Sequence, residues 1–404
     1  MWGTHGFFSA PRSLPDSLEI YLMINFTERG ESIVELRIAA IETIPVRVAL
    51  DKLYRGSHYQ MLNRCTIITR VVTDVGIVGE AYNGDADEEQ PTITRIIHRE
   101  LEPIVVGRDA MAYEDCWEAM RRITFDELRD RRFAMQAISC VDSAIWDAIG
   151  KALGIPLWKL WGGYRDSLPM IGIGGYYTDV PGSEEEEVRY FNEIGVVGMK
   201  FKIGGASPEQ DAERLRRAVA ASEPGFRFLV DANQGWTAAE AIEFVNRVRE
   251  FVDLRWFEEP CQWPDDRRAM GVVRFKTGVP IAAGQAEISR AAMRDLMVDG
   301  AIDVSNFDAS WGGGPTEWRR VAQMAMSFGV EMGHHEESQI SSHLLASIPH
   351  GTYVECFHPS RDPIFWRMLG NRPELDAGMF RLPVEPGFGW QLDKGFVEEF
   401  RVDR

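Results

Sequence analysis

Two lysines at a spacing of two, Lys200 and Lys202, stand in the apolar run VVGMKFKIGG. Residues two apart share one face of a β-strand, so both ammonium groups meet the same surroundings. Each cation lowers the other's proton affinity and desolvation lowers both, which is how a lysine becomes a base near neutral pH. A solvated surface pair is the bland alternative, and the apolar run weighs against it. Carboxylates and amides recur at the ends of other short apolar runs: Asp231 and Asn233 after FRFLV, Glu258 after LRWF, Gln285 and Glu287 after VPIAAG, Asp308 after IDVSNF, and Glu355 within YVECF. Asp231, Glu258 and a third oxygen donor suit one hard divalent cation, Mg2+, which keeps places for water and a substrate carboxylate. Gln285 offers a neutral oxygen first and Glu287 follows on the same side; we expect Glu287 as the ligand with Gln285 beside it. The alternative for the acids is capping of the helix that follows each.

His335 and Asp308 close neighbouring runs, so the carboxylate can hold one imidazole nitrogen while the other faces a cavity, as a general base requires. Five of the eight histidines fall within residues 334–358, which makes His334 and His343 rivals. Strand alternation turns His334 away from the mouth, and His343, in ISSHLLASI, reads as a hydrogen-bonded core residue. Glu355 can hydrogen-bond a developing oxyanion on the substrate, or pair with a nearby basic residue.

These groups need a frame that brings distant strand ends together. The candidate strands are 169–176, 196–203, 226–232, 254–259, 279–284, 302–307, 329–334 and 353–357, each but the last followed by a helix-like stretch. Strands joined by helices make a parallel sheet, and eight of them close naturally into a (β/α) barrel, whose chemistry lies at the C-terminal strand ends. An open doubly wound sheet is the alternative, but no dinucleotide fingerprint follows the first strand. Upstream, residues 36–78 alternate β-branched runs with turns, as in a small antiparallel sheet, and helical patterns follow from about Ile93 to Gly150. Residues 134–154 put Ala137, Val141, Ala144, Ile145, Ala148 and Ile149 on one helical face and stop at Gly154 and Pro156. Residues 1 to about 34 hold Gly, Pro and Ser without sustained periodicity and read as an extension; Met23 could be the natural start.

The balance of 44 Lys plus Arg against 62 Asp plus Glu gives a formal charge of −18, which disfavours a nucleic acid partner. Five scattered cysteines without C-x-x-C spacing point to neither a zinc site nor a disulfide framework and fit a reducing cytoplasm. No apolar stretch approaches the ~20 residues that cross a bilayer, so no membrane partner is expected.

With these residues placed, the chain resembles the mandelate racemase subgroup of the enolase superfamily over about residues 36–395. The resemblance rests on the K-x-K of GMKFKIGG, the D-x-N of VDANQGW, the WFEEP of the fourth strand, the D-x-x-x-x-G-G of FDASWGGGPTEW, and the histidine of EMGHHEESQISSHLLA. The segment WDAIGKALGIPLWKLWGG is similar to the joint between that family's capping domain and barrel. The resemblance implies an α/β barrel of modified (β/α)7β form over residues 161–358. It also implies an α+β capping domain over 35–160, completed by a C-terminal segment, 359–404. It implies Mg2+ on Asp231 and Glu258, Lys202 as a base supported by Lys200, and His335 with Asp308 as the acid/base dyad on the other face. Glu355 would hydrogen-bond the substrate carboxylate. Lid loops around Tyr54–Tyr59 and Glu80–Gly84 would place Tyr54, His58 and Tyr82 near the substrate, with Asn233 and Gln285 beside the metal. Where the family usually has Gly-Glu this chain has Gly284-Gln285, which means either a ligand shifted to Glu287 or a weakened metal site.

The reaction expected by resemblance is removal of the proton α to a carboxylate on Mg2+, through an ene-diolate. Loss of a β-hydroxyl would make the chain an acid-sugar dehydratase yielding a 2-keto-3-deoxy acid; return of a proton to the α-carbon would make it a racemase or epimerase. The polar lid (Tyr54, Arg55, Ser57, His58, Tyr82, Asn83) favours a polyhydroxylated substrate and hence the dehydratase. A non-catalytic barrel that has lost its metal is the remaining alternative, motivated by Gln285. Barrels of this family commonly form symmetric oligomers, and a homo-oligomer is expected.

Overall fold

The computed structural model describes residues 35–83 and 89–402, so the extension at 1–34 and Gly84 lie outside the described residues. The β-branched runs of the first half pair as expected. Strands β1 (Ile38–Arg55), β2 (Gln60–Thr73) and β3 (Val78–Asn83) form an antiparallel sheet in the order β1-β2-β3. Alternation along β1 sends Ile38, Ile41, Ile44, Val46 and Val48 inward, as a one-faced sheet requires.

Helix Arg131–Leu153 starts where the Asp130 carboxylate accepts from Arg132 N (2.9 Å) and stops at Gly154, whose φ of 67° is the left-handed cap that glycine allows. The single apolar face expected from sequence is exceeded: every residue from Ala134 to Gly150 is buried. The helix lies between β2 and β3 on one side and the helix Gly314–Phe328 on the other. Its two buried aspartates find backbone and side-chain donors on the elements packed around it. Asp142 accepts from Thr316 N (2.9 Å) and Thr316 Oγ1 (2.8 Å), while Asp147 accepts from Glu80 N and Phe388 N (both 2.7 Å). Gly314 explains the paired glycines of the motif: at φ 88° a Cβ there would sit 2.3 Å from Asp142 Oδ2.

All eight expected barrel strands form, the first displaced by two residues and the others shortened: β4 (Ser167–Gly174), β5 (Gly198–Lys202), β6 (Arg227–Asp231), β7 (Leu254–Glu258), β8 (Ile281–Ala283), β9 (Val304–Ser305), β10 (Glu331–Met332) and β11 (Val354–Phe357). They pair in parallel in sequence order, β11 returns to β4, and the ring closes where Met332 N donates to His350 O (2.8 Å) and Thr352 N to Met332 O (2.9 Å). A helix of nine or more residues follows each of β4 to β10; β11 is followed only by the five-residue segment Ile364–Met368. This is a (β/α)7β barrel. Strand β12 (Met379–Arg381) pairs antiparallel with β4, helix Lys394–Phe400 packs on β1, and Val402 N donates to Pro45 O (3.0 Å). Residues 36–404 form one compact unit. No helix among the described residues is long and apolar enough to cross a membrane.

Candidate active site

The barrel interior is layered. At the bottom, Ile171, Leu229, Trp256, Ala282, Val304 and Tyr353 pack into a small apolar cluster of their own. Above it, the last residues of successive strands project inward, because every second side chain of a barrel strand faces the axis. Lys200 Nζ donates to Glu258 Oε1 (2.8 Å) and lies 2.6 Å from Glu355 Oε1; Lys202 Nζ donates to Asp231 Oδ2 (2.7 Å) and Asn233 Oδ1 (3.0 Å). Trp256 Nε1, in the layer below, donates to Glu258 Oε2 (3.2 Å), and Asn306 Nδ2 donates to the same oxygen. These charges are buried and paired, as the low dielectric demands.

The pairing changes what the two lysines are. Burial depresses Lys200, but Glu258, Glu355 and Asp231 outweigh it and hold the ammonium above the ordinary lysine range, while its repulsion from Lys202 is a lesser effect. Burial likewise depresses Lys202, and Asp231 reverses that. The expectation that mutual repulsion prepares a neutral-pH base is therefore corrected for this resting site: the carboxylates across the barrel win. Burial would raise Asp231, but Lys202 and Lys200 keep it below the usual carboxylate range. Burial raises Glu258 and Glu355, which share the single ammonium of Lys200.

On the other side, three residues past β10, His335 Nδ1 lies 2.9 Å from Asp308 Oδ2, and Ser310 N donates to the other Asp308 oxygen (2.6 Å). Burial, followed by Lys200 and Lys202, holds His335 well below the ordinary histidine range, so the imidazole is neutral. His334 is turned away as expected: it accepts from Ala309 N (3.0 Å) and lies by Trp318. His343 is the core residue its helix implied, accepting from Trp158 N (3.2 Å).

Lys202, Asn233, Gln285 and His335 line one cavity of about 880 Å³. Lys202 and His335 reach it from β5 and β10, which are separated around the ring by β4 and β11. Four of the six non-glycine residues with positive φ among the described residues line this cavity: Asn233, Gln234, Glu259 and Glu336. Such conformations concentrate at functional sites because the fold must overdetermine them.

Several expected neighbours lie elsewhere. Glu287 does not line the cavity; its charged neighbours are Asp266, Arg267 and Asp295, and it is Gln285 whose side chain lines the mouth. The turn after β8 decides this, since Gly284 (φ 136°) breaks the strand alternation on which the same-side argument relied. Tyr54 lines a separate cavity and hydrogen-bonds Ser360 Oγ (2.7 Å), His58 Nε2 lies 3.4 Å from Gly235 O, and Tyr82 is buried at the seam. The wall of the mouth is instead Tyr59 and the start of β2 (Gln60, Met61, Asn63), with Glu89 and Arg132. Of the expected lid loop 54–59 only Tyr59 lines the cavity, and the residues that line it are also mostly polar. Sequence reasoning missed Glu259, Glu336, Arg132 and Trp311. Glu259 had a signal, being the second acid of WFEEP at a strand end; Arg132 had none, because it comes from the distant helix 131–153.

A parallel barrel that brings Lys202 and His335 to one cavity, each hydrogen-bonded to a buried carboxylate, has the parts of an enzyme site that moves protons. Residues 41–162 match the mandelate racemase / muconate lactonizing enzyme N-terminal domain and residues 184–396 the enolase C-terminal domain-like family. The chain belongs to the mandelate racemase/muconate lactonizing enzyme family of the enolase superfamily. It is similar to the arabinonate dehydratase of Saccharolobus solfataricus, at 30% identity over 83% of this chain and 90% of that one. It is also similar to the 3,6-anhydro-alpha-L-galactonate cycloisomerase of Streptomyces coelicolor, at 29% identity over 88% and 97%. Among solved structures it resembles a mandelate racemase/muconate lactonizing enzyme from a marine actinobacterium in complex with magnesium. That likeness has a TM-score of 0.86 at 51% identity, covering 91% of this chain and 100% of that one.

Proposed function

We propose that this protein is a magnesium-dependent dehydratase of a sugar acid, converting a 2-hydroxy acid to its 2-keto-3-deoxy product. The observation that carries the reading is that Lys202 and the His335–Asp308 pair open on one polar cavity beside a set of buried carboxylates. Similarity to an arabinonate dehydratase supports the substrate class.

The residues fit a hard cation. Among the described residues no three His, Cys, Asp or Glu side chains gather as a ligand group, and Asp231 and Glu258 leave room for a neutral oxygen donor beside them. Gln285 Oε1 is buried without a hydrogen-bond partner and faces the mouth, which makes it, rather than Glu287, the oxygen we assign beside Asp231 and Glu258. Magnesium, when bound, would supply the Lewis acid that disperses charge on the substrate carboxylate.

The chain's own residues do the rest. Lys200, whose ammonium lies 2.6 Å from Glu355 Oε1, is a donor for the substrate carboxylate oxygens, and Glu355 can donate there only as the protonated acid. Lys202 must lose a proton and give up Asp231 Oδ2 before the neutral amine can take the α-proton. Asp308 accepts from His335 Nδ1–H and thereby leaves Nε2 with the lone pair, the tautomer a base requires. One reading competes on a specific observation: lysine and histidine reach the cavity from different sides, as a racemase or epimerase needs. A reducing, cytoplasmic setting suits the five buried free thiols.

The test is incubation of the Mg2+-loaded protein with mono- and diacid sugars in D2O. Keto product is the expected outcome; α-deuterium with inverted substrate and no keto product would favour the racemase. Neither signal, in a protein that also fails to bind Mg2+ saturably, would favour the non-catalytic scaffold.

A further inference from the structure

Glu336, next to the histidine in sequence, has no role in the reaction as described, yet its placement is costly. It adopts φ 50° without being glycine, its backbone N donates to Glu355 Oε2 (2.8 Å), and its carboxyl group lines the cavity. Glu336 Oε1 lies 3.4 Å from His335 Nε2, the nitrogen turned away from Asp308, and its Oε2 is buried without a partner. With the Nδ1 hydrogen given to Asp308, Nε2 of a neutral imidazole is an acceptor, and so is a carboxylate. Two acceptors face each other stably only with a hydrogen between them. Behind Glu336 stands Arg361, 1% exposed, with Nη2 3.9 Å from Glu336 Oε1 and with Nε and Nη1 lacking any hydrogen-bond partner. A fully buried guanidinium with two idle donors is expensive unless a carboxylate takes them up at some stage.

We propose that Glu336 is a further catalytic residue, the acid that protonates the departing β-hydroxyl and then withdraws as a carboxylate onto Arg361. The inference rests on the dehydratase reading and names the proton source for it. In the step, the bond between the β-carbon and its oxygen breaks with the electron pair going to oxygen. That oxygen takes the Glu336 proton and leaves as water, and the electrons of the enolate form the carbon–carbon double bond of an enol, which becomes the 2-keto acid. His335 keeps the proton in place beforehand, and Arg361 stabilises the charge afterwards.

The experiment compares wild type with Glu336→Gln, both full-length and Mg2+-loaded, on a sugar acid that wild type dehydrates and on its β-chloro counterpart, whose leaving group departs without a proton. Loss of water should fall about 100-fold or more, the usual worth of a general acid, with KM nearly unchanged. Chloride release and α-deuterium exchange should persist, and Glu336→Asp, which keeps an acid, should recover part of the water loss. Water loss at the wild-type rate, or an equal fall in chloride and water loss, would overturn the proposal. Exchange without keto product in the wild type would overturn the dehydratase reading itself.

Discussion

Two aspartates, both fully buried, stand in opposite electrical states. Asp231, at the barrel mouth, faces Lys202 and Lys200 and is held below the usual carboxylate range. Asp142, in the seam between helix 131–153 and the barrel, has only an amide and a hydroxyl from Thr316 as close partners, and burial pushes it up to about 7. The seam spends its buried polar groups on orientation, docking the helix against Gly314. The mouth gathers opposite charges that a ligand can rearrange. Burial alone therefore does not mark a functional carboxylate; at the mouth it is accompanied by a buried cation, Lys202, that opens on the cavity.

The largest effect that would break this comparison lies on the histidine side. His335→Asn should lower turnover by about 1,000-fold with an unchanged melting temperature, since general acid–base catalysis contributes about 10²–10⁴-fold and His335 holds the Glu336 proton; turnover at the wild-type rate would remove His335 from the chemistry. Lys200→Met tests the charge balance itself. Leaving Glu258 and Glu355 buried without their ammonium should cost about 3–5 kcal/mol in urea unfolding, and a stability equal to wild type would mean the layer is not held by that ion pair.

The seam should show the opposite pH response to a paired carboxylate. Because the folded Asp142 holds its proton up to about pH 7 and the unfolded chain releases it near 4, its contribution is favourable below about pH 4. That contribution is lost as pH rises to about 7, by up to roughly 4 kcal/mol. Melting curves of Asp142→Asn should flatten over that window, and an unaltered slope would show that another group carries it. The smallest effect separates the two candidate third donors. Gln285→Ala should weaken Mg2+ binding by about tenfold in calorimetry while Glu287→Gln leaves it unchanged; the reverse ranking would restore Glu287 to the site.

Much of this architecture was legible in the chain. The strand pattern and the inward series Lys200, Lys202, Asp231, Glu258, Asp308, His335 and Glu355 follow from spacing, because a parallel barrel collects strand ends by rule. Glu287 lies off the cavity because period-two reasoning stops where the strand stops, at Gly284. Tyr54, His58 and Tyr82 lie off it because a loop's sequence does not say which of its residues turns inward. Helix 131–153 read as amphipathic but is buried all round, since its polar residues find partners more than a hundred residues away, as Asp142 does in Thr316.

The sequence by itself determined the barrel, the lysine pair and the acid and histidine positions, because those depend on local periodicity and strand order. Only the tertiary structure decided their states. The lysines are held protonated by carboxylates from other strands, His335 is neutral between Asp308 and Glu336, and Arg361 stands behind them with Nε and Nη1 lacking hydrogen-bond partners. Charge states depend on distances of a few ångströms between residues far apart in the chain, and no spacing along the sequence encodes those distances.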